Sequence, residues 1–358
     1  MSPRAFLLLP LAFALAHAAE SLPAYGPSIK VTGTLRSRGN DQMAALMQLW
    51  EAGFRKFHPE ARFEDTFKGS ASAMYGLELR TADMALMGRP IHPFERYGTY
   101  ERGWAYPVEI EVATGSPATP RKSAAVAIFV HKDNPLAQLT LAQLDGIFGA
   151  QRSGGWIALS WNAAAARGPE KDIRTWGQLG VTGPLANQPI HAYGPPNRGA
   201  GEVTYFEARV FGGARIWNES LREIPDRTAL LAAIARDPLG ITYAPIGTGS
   251  PGLKVIALAE TDAGPFVALT PESVASRRYP LTRAVYIYYT IDTPRGDLSP
   301  TRGDPRVKEF LRYILSREGQ ADVAREGSYV PLTPAVVAQQ LKKMSATATP
   351  PERAVLEP

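Results

Sequence analysis

The chain has 358 residues, 45% of them hydrophobic and 20% charged, enough apolar material for one large core or two ordinary ones. It contains no cysteine, which excludes disulfide scaffolds, thiolate metal sites, iron–sulfur clusters and cysteine nucleophiles together. Lys and Arg outnumber Asp and Glu by 39 to 34, a dispersed excess that suits small anionic ligands and forms no nucleic-acid-binding stripe.

Met1–Ala18 carries one basic residue, Arg4, then an uncharged run to Ala16, then Ala16-His17-Ala18 as a small-x-small cleavage site. This reads as a secretory signal peptide cut near Ala18, and it assigns the working protein to the periplasm. The alternative, a buried N-terminal helix, is disfavoured by Pro10. A β-rich stretch from Ile29 runs into the polar turn Ser37–Asp41, and then Met43, Leu46, Met47, Trp50, Phe54 and Phe57 recur at helical spacing until His58-Pro59. Residues Ala61–Phe67 alternate as a strand, Gly69–Ser72 opens a second helix that reaches about Arg80, and Ala82–Met87 predicts a short strand containing Asp83. The stretch Arg89–Pro120 reads as irregular.

Ala124–Val130 is a continuous apolar run suited to a buried strand, and Thr140 with Gln143 forms a capping box that starts a helix through Phe148. Gly149–Lys171 reads as an excursion, after which Trp176 tucks one large aromatic back against the fold. Pro189–Tyr193 is the next strand, followed by a turn from Gly194 to Gly201 and a helix with Val203, Phe206 and Val210 on one face. Asp226 or Thr228 caps a helix through Ala235, Gly240–Ala244 is a strand, and Lys254–Leu258 is expected to lead back to the first lobe. The aromatic strand Tyr286–Tyr289 and a helix from Pro305 to Arg317 are assigned there too, and residues 345–358 are expected to be a disordered tail. The alternation predicts an α/β fold of two open lobes, with mixed sheets and helices on both faces: residues 29–120 with 255–340, and residues 121–254, with a cleft between them.

Three loops share one grammar of strand, small or polar residues, then helix: Ser37–Asp41, Gly69–Ser72, and the segment from Asn197 to Glu202. Helix N-termini present unpaired N–H groups and partial positive charge, so loops of this kind can form an anion site with few charged side chains. The alternative is that Asn40, Asp41, Ser70 and Asn197 merely cap their own helices. Asp83 has two readings as well: an acceptor that takes a proton-bearing oxyanion and rejects a fully ionised one, or a strand-end ion pair with Arg80 or Arg89. Catalytic patterns are weaker. His58, His92, His131 and His191 are isolated, no serine lies three residues before a lysine, and no serine is flanked by glycines in the hydrolase elbow pattern. Gly247–Gly252 has the spacing of a dinucleotide loop, but Leu253–Leu258 reads as a strand where that loop needs a helix. No enzymatic activity, metal or cofactor is assigned.

Several segments together resemble the phosphate-type substrate-binding proteins of ABC transporters: Gly39–Met43 with Leu46, Met47 and Trp50; Gly69–Ser72; Ala82-Asp83 with Met87–Pro90; Lys132–Pro135 with Leu139–Phe148; and Ser316–Gln320 with Tyr329–Leu332. The resemblance runs from about Ile29 to Leu332. It implies a two-lobed, type II periplasmic-binding-protein-like fold, a monomer that captures phosphate or a related oxyanion, and delivery to a membrane permease. The ligand residues it implies are Gly39, Asn40, Asp41, Gly69, Ser70, Ala71, Ser72, Asp83, Arg198, Gly199, Ala200, Gly201 and Glu202. The chain departs from the family's pattern in having Asn40 and Gln42 for hydroxyl residues, Pro196 for an arginine, and Ala200-Gly201-Glu202 for Ser-Gly-Thr. Glu202 must therefore pair with a base, turn away, be protonated, or face a different ligand. The rival reading is a sensor or protein-interaction component built on the same scaffold that binds no phosphate.

Overall fold

The computed structural model describes residues 22–103, 106–157, 160–196, 201–247, 251–291 and 303–345. The expected leader, residues 346–358 of the expected tail, and Asn197, Arg198, Gly199 and Ala200 lie outside the described residues. The chain divides into two units, one running to Thr114 and resuming at Ala284, the other Gly115–Arg283.

The first unit holds β1 (Gly33–Gly39), α1 (Ala44–Arg55), β2 (Ala61–Phe67), α2 (Ala73–Glu78), β3 (Met84–Met87), α3 (Pro93–Gly103) and β4 (Val108–Thr114). Its five-stranded sheet has the order β2-β1-β3-β14-β4, where β14 is Ala284–Tyr289. The first three strands are parallel, with Ser37 opposite Met84 and Gly39 opposite Leu86, and β14 runs antiparallel to both neighbours. Strand side chains alternate between faces. Met84, Leu86, Val285 and Ile287 therefore join the core that holds α1, while Ala85, Met87, Tyr286 and Tyr288 pack with Met74 and Leu77 of α2. Burial on both faces is why β14 reads as an unbroken apolar and aromatic run.

The stretch expected to be irregular contains α3 and β4. The α3 sequence leaves Phe94 and Tyr97 exposed, so it shows no clean apolar face. In β4, Val108, Ile110 and Val112 alternate with Glu109 and Glu111, a strand signal that the surrounding Pro and Gly residues obscure. Strand β3 begins at Met84, so Asp83 precedes it.

In the second unit β5 (Val126–His131), β6 (Gln138–Thr140), α4 (Leu141–Phe148), the hairpin β7 (Gly155–Ile157) and β8 (Ser160–Asn162), and β9 (His191–Gly194) come first. They are followed by α5 (Gly201–Val210), β10 (Arg222–Glu223), α6 (Arg227–Ile234), β11 (Gly240–Pro245), β12 (Leu253–Val255), β13 (Ala257–Ala259) and α7 (Pro271–Ala275). The sheet order is β10-β9-β11-β5-β12, with β9, β10 and β11 parallel. Thr140 and Gln143 form the expected reciprocal capping box, and Trp176 is fully buried. The cap of α6 is Asp226, whose carboxylate accepts the Ala229 N–H at 2.7 Å.

The return to the first unit comes later than residue 255. Strand β12 pairs antiparallel with β5, and β13 pairs with β6, so Lys254–Leu258 completes the second unit and the chain crosses back at Ala284. After β14 the first unit is closed by α8 (Pro305–Ile314), α9 (Arg317–Glu326) and α10 (Pro334–Ser345), so Ser345 ends a helix. Among the described residues, no helix is long and apolar enough to cross a membrane.

Candidate functional site

The C-terminal ends of β1 and β3 and the start of the turn before α2 meet at one edge of the first unit's sheet. Gly39 ends β1 with φ 139°, a conformation that favours glycine, and an added Cβ would stand 2.2 Å from the Leu86 carbonyl oxygen and 2.8 Å from the Ala73 Cβ. The Asn40 N–H donates to that same Leu86 carbonyl at 2.8 Å, and the Lys68 N–H donates to the Gly39 carbonyl at 2.9 Å. These contacts hold the turn against both neighbouring strands.

Asn40 is buried. Its Oδ1 accepts the Gln42 N–H at 3.1 Å, capping the short 3-10 turn Asp41–Met43, but its Nδ2 is buried with no acceptor among the described residues. An unpartnered buried donor is costly, and an oxyanion is the kind of group that would satisfy it. Asp41 is exposed in the first position of that turn.

Gly69, at φ 79°, admits the second turn, Ser70–Ser72. The Ser70 Oγ accepts the Gly88 N–H at 3.0 Å, tying this turn to the end of β3 and leaving the hydroxyl proton for another acceptor. The Ser72 hydroxyl donates to the Gly69 carbonyl at 2.9 Å, so it serves its own turn, and the Ala71 side chain is exposed. The first N–H groups of both turns have no partner inside the turn, by the geometry of helix starts. Arg38, one residue before Gly39, packs against Gly76, and its buried Nε has no partner among the described residues.

Asp83 is not at this edge. It lies at the opposite end of β3, about 16 Å of strand from Gly88 at roughly 3.3 Å per residue. Its carboxylate accepts from the Arg36 backbone N–H at 2.8 Å, from Nε at 3.2 Å and from Nη2 at 2.7 Å. The ion-pair reading of Asp83 is therefore the correct one, with Arg36 as partner in place of Arg80 or Arg89. The proton-reading role falls, because parallel β1 and β3 put a residue before β3 at the end remote from the loops. Asp83 instead lines a cavity of about 630 Å³ with Arg80, Tyr289, Asp304 and Arg306.

Arg89 stands next to the edge but is occupied. Its guanidinium makes two bonds to Glu95, at 2.8 and 2.7 Å, with both side chains buried, and Glu95 also accepts the His92 N–H. This pair fixes the chain leaving β3 and hence the Gly88 amide. Sequence reasoning missed Gly88 and Glu95, although Glu95 lies only six residues from Arg89 and could have been weighed as its partner.

In the second unit, the ends of β9 and β11 and the starts of α5 and α6 line a pocket of about 440 Å³. Gly201 begins α5. Of the alternatives for Glu202, pairing with a base is the one found, and the base is Arg227 in the first turn of α6. Tyr243 also lines this pocket, and its buried hydroxyl has no hydrogen-bond partner among the described residues. No local pattern announces Arg227 or Tyr243, since each meets Glu202's surroundings only through strand and helix packing. Among the described residues, no group of three or more His, Asp or Glu side chains could hold a metal ion.

A match to the PBP superfamily domain spans residues 26–318. The phosphate-binding protein PstS of Pseudomonas aeruginosa is 31% identical over 336 residues, covering 93% of this chain and 94% of that protein. The protein SphX of Synechococcus elongatus is 26% identical over 70% of this chain and 63% of its own length. Among solved structures, an ABC-type phosphate transport receptor from Vibrio cholerae superimposes with a TM-score of 0.52 at 19% identity, covering 83% of this chain and 100% of that one. PstS from Borrelia burgdorferi does so with a TM-score of 0.52 at 16% identity, over 83% of this chain and 98% of that one. At these identities the structures speak for the fold.

Proposed function

We propose, from the fact that the chain belongs to the PBP superfamily and within it to the family of the phosphate-binding protein PstS, that it captures phosphate outside the cytoplasm for an ABC permease. The observation that carries the reading is the Asn40 amide: a buried donor with no acceptor among the described residues, at the sheet edge that also carries the Ser70 hydroxyl and the starts of two helical turns. A tetrahedral oxyanion supplies acceptors to all of them at once, in a desolvated place where hydrogen bonds to a charged group are at their strongest. Gly39, Asn40, Asp41, Gly69, Ser70, Ala71 and Ser72 form the first unit's share of this site. Gly201 and Glu202, and Arg198, Gly199 and Ala200 outside the described residues, are proposed ligand residues carried by the second unit. Release of Met1–Ala18 by a signal peptidase belongs to the same reading.

The test is thermal unfolding and calorimetric titration with inorganic phosphate and, separately, sulfate. A ligand present at about 100 times its Kd stabilises the folded state by roughly 2.7 kcal/mol, a readily measured shift. Phosphate-dependent stabilisation that is lost in Ser70→Ala is the expected result. The absence of any shift at millimolar phosphate would overturn the reading and favour a sensor or interaction role for the scaffold.

A further inference from the structure

Strand β2 is the outer strand of the first unit's sheet: it pairs with β1 on one side and, among the described residues, with no strand on the other. Such an edge is a template for a further strand. The Lys68 N–H donates to the Gly39 carbonyl at 2.9 Å, so the backbone groups of the even-numbered residues point inward, to β1. Backbone direction alternates along a strand, which turns the N–H and C=O groups of Phe63 and Asp65 outward. Side chains alternate between the faces as well. Phe63 and Asp65 lie on the covered face, where the Phe63 ring stands 5.0 Å from Phe310 under the Arg55 guanidinium and the Asp65 carboxylate accepts the Ser37 hydroxyl. Arg62 and Glu64 lie on the other face. Both are exposed, and among the described residues neither makes an ion pair. Arg36, which feels the Glu64 charge, is bonded to Asp83.

A second copy of this strand fits the edge in one register. About a two-fold axis normal to the sheet, two β2 strands run antiparallel, and residues that stand opposite each other share a face. Registers that overlap most of β2 place the axis at Phe63, Glu64 or Asp65. An axis at Glu64 sets that carboxylate against its own copy, and an axis at Asp65 sets Arg62 against Lys68. With the axis at Phe63, Arg62 stands opposite the Glu64 of the second copy, and Glu64 opposite its Arg62. The outward N–H and C=O of Phe63 then exchange bonds with the same groups of the second copy, and the Asp65 N–H meets the Ala61 carbonyl. Charges on an edge strand can also block pairing. Here the two signs alternate along one face, so the strand complements its own copy, with opposite charges paired twice.

We propose that the protein associates with a second copy of itself through β2, in the register centred on Phe63, so that the first unit's sheet continues across the pair. This stands against the monomer that the family resemblance implies, and it does not depend on the identity of the ligand.

The test is sedimentation equilibrium of the protein over a concentration series. A reversible monomer–dimer equilibrium with a Kd below about 1 mM is expected. Arg62→Glu alone and Glu64→Arg alone each turn both attractive pairs into repulsive ones, and each should weaken self-association at least about tenfold. Mixed together, the two single variants face each other with opposite charges again and should associate to within about threefold of the parent. The double variant Arg62→Glu with Glu64→Arg restores both pairs within one chain and should dimerise like the parent, which keeps the test decisive if a single variant folds poorly. A parent that stays monomeric at millimolar concentration would overturn the proposal. So would single variants that dimerise as the parent does, or a mixture and a double variant that associate no more tightly than the singles.

Discussion

Asn40→Asp separates the two jobs of one side chain. The Oδ1 that caps the Asp41–Met43 turn is retained, and Asp is as good a cap as Asn, so a change in the stability of the ligand-free protein reports the cost of placing a carboxylate in a buried site rather than a lost cap. What changes is the other branch, where a buried N–H₂ without an acceptor becomes a carboxylate oxygen. A bound phosphate loses a charge-assisted hydrogen bond worth about 1.5–3 kcal/mol, or roughly 10–150-fold in Kd. It also meets a like charge, and two unit charges about 4 Å apart at an effective dielectric near 20 repel by about 4 kcal/mol. Asn40 is only 3% exposed, so solvent screens little of this, and the expected loss of phosphate affinity exceeds about 100-fold. Calorimetric titration at constant pH and ionic strength gives the binding change, and thermal unfolding without phosphate gives the structural control. Phosphate affinity within threefold of the parent would show that the Asn40 amide does not face the ligand. A variant that is already unfolded at the titration temperature without phosphate would show that its binding loss is a folding loss.

Gly39→Ala forces a side chain into φ 139° and onto the Leu86 carbonyl, and should cost at least about 2 kcal/mol in thermal unfolding while abolishing phosphate binding. Glu95→Ala leaves the buried Arg89 guanidinium uncompensated and should cost about 3–5 kcal/mol, a fall in Tm of roughly 6–20 °C. The double variant Arg89→Met with Glu95→Leu should recover most of that loss, and a double variant no more stable than Glu95→Ala alone would contradict the argument. Glu51 is pushed up from 4.5 to about 8 by burial and by the Asp65 carboxyl, against the pull of Arg55. Over that window the folded protein holds a proton that the unfolded chain has released, so stability falls as pH rises from about 4.5 towards 8. Glu51→Gln should flatten this part of the Tm–pH curve and stabilise most near pH 8, which thermal scans across a pH series will show.

What was legible in the sequence was local. The strand Ala61–Phe67 was readable to the residue because alternation and its breakers lie within the strand itself, and the Thr140–Gln143 box because both partners sit three residues apart. The Gly39-Asn40 and Gly69-Ser70 turns were legible for the same reason. Asp83 was misread because its role depends on which end of β3 faces the loops, which only the register with β1 decides. The return at Ala284 depended on Lys254 and Val255 pairing with Val130 and Phe129, more than a hundred residues upstream. The partner of Glu202 was out of reach because Arg227 is brought to it by helix packing.

These non-local pairings change how an anion would be held. The charges that look available along the chain are largely cancelled in pairs: Arg36 with Asp83, Arg89 with Glu95, Arg227 with Glu202. At the first unit's loop edge they leave Asn40 Nδ2, the Ser70 hydroxyl and the starts of two helical turns, with Arg38 as a nearby cation whose Nε has no partner among the described residues. In the proposed site the first unit would hold a phosphate mainly by neutral dipoles, whose strength comes from the exclusion of water and from fixed geometry rather than from opposed full charges. Such a site depends less on ionic strength than on the rigidity of its turns. On the proposed reading, Gly39 and the Arg89–Glu95 pair, which need not touch the ligand, should therefore matter as much to capture as the groups that do.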